Sequence, residues 1–201
     1  MGGNNMKSND KVKIMTISAL LSALGILIPM TFPSFRAEPA SYTLASHVPI
    51  TIAMFISPTV ATFVAIITSL GFLISGFHIV IVARAMTHII FALTGSLILK
   101  KNKQLLSSIA KTSLFSFFIS FIHGAAEVGV VSFFYFSGMY SDMFSAYREK
   151  GFLVSVVLLV GLGTIIHGIV DFAISTIIWQ PLQNIITIPV SARVKLHRKT
   201  S

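Results

Sequence analysis

Six apolar stretches, at about 14–32, 45–57, 59–75, 78–99, 106–136 and 152–182, fill most of this chain of 201 residues. A bilayer core of ~30 Å takes ~20 apolar residues per helix, so a chain patterned this way is built to fold in a membrane. The second and third stretches come from one long apolar run, 47–76, which exceeds a single crossing and is broken at Ser57-Pro58. Composition agrees, with 54% hydrophobic residues, 10% charged residues and a mean hydropathy of +0.87, against roughly 25% charged in a soluble domain. The prediction is an all-α integral membrane protein. It is a compact bundle of six transmembrane helices forming a single membrane domain over 1–201, with a leader at 1–12 and a tail at 183–201.

Charge placement gives an orientation. Lys7, Lys11 and Lys13 precede the first stretch, Lys100, Lys101, Lys103 and Lys111 crowd one connection, and Arg193, Lys195, Arg198 and Lys199 close the chain. By the positive-inside rule these three segments, and both termini, are expected in the cytoplasm, and the localisation is a multi-pass cell-membrane protein. The connections around Arg36/Glu38 and Asp142/Arg148/Glu149/Lys150 carry mixed charge and are expected outside. The net charge of +9 then reports orientation and anionic lipid, and nucleic acid is not an expected partner. The chain has no cysteine, which excludes thiolate metal sites, and the start MGGNNMKSND has no small-residue cleavage site, so no processing is expected.

Against this apolar background, a few ionisable residues stand out. Arg84 and His88 lie four apart in VARAMTHIIFALTG and share a helix face. His123 and Glu127, then His167 and Asp171, each form His-Gly-x-x-acid. A charge near the bilayer centre costs ~2.5–3.5 kcal/mol on the insertion scale, so such residues face the bundle interior or a cavity. At 1.5 Å per residue, Arg84 lies ~9 Å and His88 ~15 Å from the outer surface. His123 falls near the midplane, and Glu127 lies in the outer third. His167 and Asp171 come out deeper, at ~22 and ~28 Å, and are expected to bond neighbouring helices. Arg84, His88, His123 and Glu127 therefore form a candidate outward-facing half-cavity. An arginine fork there suits a carboxylate or phosphate, although an Arg84–Glu127 pair that only fixes helix packing satisfies the same pattern.

The proline-rich segment 32–46 is too interrupted to span and is read as an external loop folding back into the bundle mouth. His47 and Tyr42, at and just before its end, join the candidate substrate-binding set. Phe35, Phe77, Tyr135 and Tyr140 also lie near the mouth, as stacking partners or interfacial anchors. Trp179 is expected at the membrane interface, Pro181 at the end of the last helix, and the tail ITIPVSARVKLHRK along the surface. On the first helix, Ala19 and Ala23 form a small-xxx-small ridge, which suits either close packing within the bundle or docking of a partner.

Catalysis is not expected. No His-Glu-x-x-His, nucleophile elbow or phosphate-cradling glycine loop occurs, so the chain has no ATP site of its own. The His/acid pairs sit on separate helices at unequal depth, so no metal and no cofactor are predicted.

With these features in place, PASYTLASHVPITIAMFISP (39–58) and GFLISGFHIVIVARAMTHIIFALTGSLI (71–98), together with Ala19-xxx-Ala23, resemble the S components of energy-coupling factor (ECF) vitamin importers, most closely the niacin-type members. The resemblance covers nearly the whole chain. It implies a non-enzymatic, high-affinity capture subunit that binds a small vitamin, niacin favoured, in an outward-facing pocket. It also implies docking through the alanine face on a transmembrane coupling subunit, with two cytoplasmic ATPase subunits supplying energy. Nicotinate is a small aromatic carboxylate, which an arginine fork and flanking rings suit. The polar inventory also admits cobalamin, a pyrimidine or a pyridoxine-like ring, since a shared architecture does not fix the ligand. A self-sufficient secondary transporter, with Glu127 and Asp171 carrying protons, is the second class, and a membrane enzyme or metal/haem protein the third.

Overall fold

The computed structural model describes residues 8–195 apart from 38, 39, 141 and 143. Lys7, Glu38, Pro39, Arg198 and Lys199 lie outside the described residues, as does most of the leader. Helix α1 (Ser8–Thr31) starts within the span read as leader. A hairpin of β1 (Ser34–Ala37) and β2 (Ala40–Thr43) follows, pairing antiparallel with Phe35 opposite Tyr42. Then come α2 (Val48–Ile56) and α3 (Pro58–Ile74). Ser57 makes the break between them: its Oγ accepts from Val60 N at 3.2 Å, its own N–H donates to Ala53 O, and Pro58 opens α3 where no amide donor is needed.

The stretch predicted as one helix over 78–99 is two, α4 (Ile79–Met86) and α5 (His88–Lys101). The Thr87 hydroxyl donates to Arg84 O at 2.6 Å and the Thr87 amide bonds the same carbonyl, a three-residue closure that tightens the helix there. Helix α6 (Ile109–Ser137) is capped by Ser108 and ends at Gly138, whose φ of +74° is open to glycine. A short α7 (Ser145–Lys150) precedes a π-helical segment, Leu153–Leu162, which runs into α8 (Gly163–Ile185). Pro181 is accommodated inside α8, which continues to Ile185. Among the described residues, four helical stretches are long and apolar enough to cross a membrane, Ser8–Thr31, Ile79–Lys101, Ile109–Ser137 and Leu153–Ile185, with Pro58–Ile74 shorter.

Close approach sets the register of α6 and α8. A Cβ on Gly124 would stand 2.9 Å from Gly161 O and from Ile165, and one on Gly168 would stand 2.8 Å from the Ser120 hydroxyl. The glycine of each His-Gly-x-x-acid motif is thus the point at which the other helix passes, and bare backbone there lets the helices come together.

The end opposite the hairpin is closed by the tail. Ser191 N and Ala192 N donate to Ile56 O and Phe55 O at 2.9 and 3.0 Å, serving carbonyls that the C-terminus of α2 leaves without partners. Lys195 N bonds Leu106 O, and Lys13 Nζ reaches Thr187 Oγ1 at 2.8 Å, so the three basic segments gather at this end. Two expectations are corrected here. Trp179 is fully buried, its Nε1 donating to Ala192 O at 3.2 Å, and does not anchor at an interface. The described part of the tail, 186–195, is likewise packed into the bundle, with Ile188, Ala192 and Val194 buried, because the C-terminus of α2 needs its backbone.

Ala19 and Ala23 are exposed, whereas Ser18, Leu21, Ser22 and Gly25 make the packed face of α1. The ridge therefore lies off the packed face of α1.

Candidate ligand cavity

A cavity of about 420 Å³ opens beneath the hairpin, within the size range of small-molecule sites. Tyr42, His47, Arg84, His88 and Glu127 from the candidate set line it, joined by Phe72, Phe77, Thr164 and His167. His123 does not reach the wall: it is buried behind His47 and against Phe91, with ring centroids 4.6 Å from each.

Glu127, on α6, is the electrostatic anchor. Its Oε2 accepts from Arg84 Nη2 at 2.7 Å and from Thr164 Oγ1 at 2.8 Å, tying α4, α6 and α8 together. Its Oε1 stands 3.4 Å from His123 Nε2 and 3.8 Å from His88 Nε2. Thr164 was not singled out in the sequence, yet its spacing of three to His167 and seven to Asp171 puts it on the same helix face.

His47 is the hub. Its ring stands edge-on to those of His88, His123 and His167, at centroid distances of 4.9, 4.6 and 4.9 Å. Below it, the wholly buried Asp171 holds the turn that follows the hairpin, with Oδ1 accepting from Ala45 N at 2.8 Å and Oδ2 from His47 N at 2.9 Å. His47 Nδ1 lies 3.1 Å from the same Oδ2. Ala45 adopts a φ of +65°, a left-handed conformation that an alanine rarely takes, and the bond to Asp171 holds it there.

The depth expectation separates here. Asp171 does bond a neighbouring segment and stays off the cavity wall. His167 lines the cavity, with Nε2 3.1 Å from Ser46 Oγ and its ring 5.4 Å from that of Tyr42. Two things invalidate the count. The hairpin enters the bundle far enough for the Tyr42 hydroxyl to donate to Leu159 O, bringing His47 down to His167. The π-helical segment, with its i→i+5 bonds, fits more residues into each turn than the α-helix assumed by a 1.5 Å rise. For the same reason the histidines of separate elements converge.

Several buried donors and acceptors around the cavity make no hydrogen bond to protein: Arg84 Nε, His88 Nδ1, Thr68 Oγ1 and His123 Nε2, the last with only the Glu127 carboxylate at ion-pair range. An unpaired buried polar group is costly, of order 1–3 kcal/mol, so these atoms point to a bound polar ligand. Of the mouth aromatics, Tyr42 and Phe77 line the cavity. Phe35 lies on an adjoining apolar groove, Tyr135 packs on Phe136 and Phe152, and Tyr140 meets His78.

Long apolar helices around a small polar cavity define a membrane protein that handles a small-molecule substrate. The sequence is 40% identical over 163 residues to the niacin transporter NiaX of Lactococcus lactis subsp. cremoris (strain MG1363), covering 81% of this chain and 71% of that protein. The chain belongs to this family, the niacin-type S components of vitamin transporters. No family model matches the sequence, and no solved structure matches the chain.

Proposed function

We propose that this chain captures niacin, as nicotinate, in the cavity beneath the hairpin and serves as the S component of an ECF-type importer. The observation that carries the reading is Arg84 at the cavity wall, with Nη2 held by Glu127 and a buried Nε left without a partner, flanked by the rings of Tyr42, His47, Phe77, His88 and His167. A guanidinium beside rings is the chemistry a planar aromatic carboxylate needs. His123 acts from behind, holding His47 and Glu127.

The same reading has six spans, α2 and α3 completing the set, both termini in the cytoplasm with the gathered lysines, and the hairpin outside as the lid of the pocket. The exposed Ala19 and Ala23 form the docking face for a transmembrane coupling subunit, and two cytoplasmic ATPase subunits hydrolyse ATP. Calorimetric titration of the purified protein with nicotinate, alongside mass spectrometry of what it carries from rich medium, tests the ligand. Wild-type affinity in Arg84→Ala would sink the site assignment. Ala19→Trp or Ala23→Trp is expected to abolish partner-dependent uptake with binding unchanged.

One observation favours a second reading: Glu127, His123, His47 and Asp171 form a continuous file of titratable groups. Such a file suits a proton-coupled secondary transporter, which would accumulate substrate in liposomes under a pH gradient with no partner present.

A further inference from the structure

We propose that His47, His88 and His123 form a binding site for a zinc-class divalent cation, and that this ion provides the positive charge against which an anionic ligand is held in the cavity. Each of the three offers a ring nitrogen, and these nitrogens lie within 4.8 Å of one another. They come from three different elements: His47 from the turn before α2, His88 from the start of α5 and His123 from the middle of α6. A tetrahedral zinc at ~2.0–2.1 Å from each sets the nitrogens roughly 3.3 Å apart, so binding draws the rings inward around the ion.

Two independent observations point to a ligand at this spot. His88 Nδ1 is buried and makes no hydrogen bond, and His123 Nε2, also buried, has only the Glu127 carboxylate at ion-pair range, 3.4 Å away. Charge balance asks for a cation as well. At the cavity wall the Arg84 guanidinium is already paired with Glu127, so the carboxylate of a bound nicotinate would bring a negative charge that it does not fully offset. A divalent ion reverses that balance.

The surroundings fit the site. Glu127 Oε1, 3.4 Å from His123 Nε2 and 3.8 Å from His88 Nε2, is within reach as an additional oxygen donor. Asp171, 3.1 Å from His47 Nδ1, is the kind of carboxylate that orients a metal-binding imidazole. A second grouping, His47, His167 and Asp171, is less suited, because both Asp171 oxygens already accept backbone amides. Three imidazoles leave a position open, and with His47 and His88 on the cavity wall that position faces the cavity, where a carboxylate or pyridine nitrogen can fill it.

This inference rests on the niacin reading for its second half, and the test separates the two. Tag-free protein is stripped with chelator and titrated with Co²⁺, watching for the visible bands of a tetrahedral ion, and nicotinate affinity is measured stripped and after Zn²⁺ loading. The expected result is one Co²⁺ per chain, bands that His123→Gln abolishes and His78→Ala leaves intact, and nicotinate binding at least ~10-fold tighter with Zn²⁺. Wild type should gain nicotinate affinity on Zn²⁺ loading, whereas His123→Gln should show the same affinity stripped and loaded. Equal nicotinate affinity in stripped and loaded wild type overturns the ion's role in binding while the niacin reading stands. Absence of the bands overturns the site itself. Bands that need His123, with no nicotinate binding in either state, support the site and overturn the niacin reading.

Discussion

The two ends of the bundle handle buried polarity differently. At the lysine end, the polar groups of the closure are paired: Gln183 donates Nε2 to Val194 O and accepts Val194 N at Oε1, both at 2.8 Å, and Trp179 Nε1 meets Ala192 O. At the hairpin end, Arg84 Nε, His88 Nδ1, His123 Nε2 and Thr68 Oγ1 stay without hydrogen bonds around a cavity. The Ser96, Thr112 and Ser116 hydroxyls toward the lysine end also lack partners, but they are not on the cavity wall, and the paired tail makes the first end a stopper. Unsatisfied polar atoms hold free energy that a ligand can recover, so the second is a receptor. If this division is right, substitutions at the two ends should affect binding and stability separately.

The hardest test is Arg84→Ala. Removing one partner from a buried pair leaves Glu127 uncompensated, at roughly 3–5 kcal/mol, and also takes away the proposed carboxylate fork. Nicotinate affinity measured by calorimetry should fall by at least ~100-fold, and the thermal midpoint in detergent should drop too. Trp179→Ala should do the converse, lowering stability by roughly 3–5 kcal/mol through the lost ring and the opened closure. Its nicotinate affinity should stay within about threefold of wild type, and a large loss would mean that the two ends are coupled.

Smaller effects refine the boundary between the ends. Gly168→Leu places a side chain against Ser120 and pushes α8 off α6, which shifts His167 and Thr164 against Glu127. An affinity loss of about tenfold is expected, with the overpacking itself costing ~1–3 kcal/mol in stability. The smallest change is Ala45→Gly, which relieves the left-handed backbone at φ +65°. A stability gain of up to ~1 kcal/mol is expected by thermal melting, offset in part by the added freedom of the unfolded chain.

How far the sequence alone could go is clear from individual residues. Arg84 and His88 were legible as cavity residues because a four-residue spacing on a helix puts two side chains on one face whatever the neighbours do. Thr87 splits that helix between them, yet both still line the cavity. His167 and Trp179 were placed wrongly, for related reasons. A depth count assumes straight α-helices entering at known points, and a π-helical segment and an inserted hairpin defeat it. An aromatic near a helix end reads as an anchor unless one knows that the tail folds back over it.

By itself, then, the sequence determined that this chain is a helical membrane protein with a few ionisable residues held inside, because hydropathy and the cost of a buried charge are properties of each segment alone. It also carried the family, in the motifs around Pro39 and Arg84. Only the tertiary structure decided that His47 stands among three other histidines, that Asp171 pins the hairpin turn and that Glu127 joins three helices. Those contacts depend on how far α6 and α8 slide along each other and how deep the hairpin reaches. That is set where Gly124 and Gly168 let backbones touch, a choice made between helices and not within one.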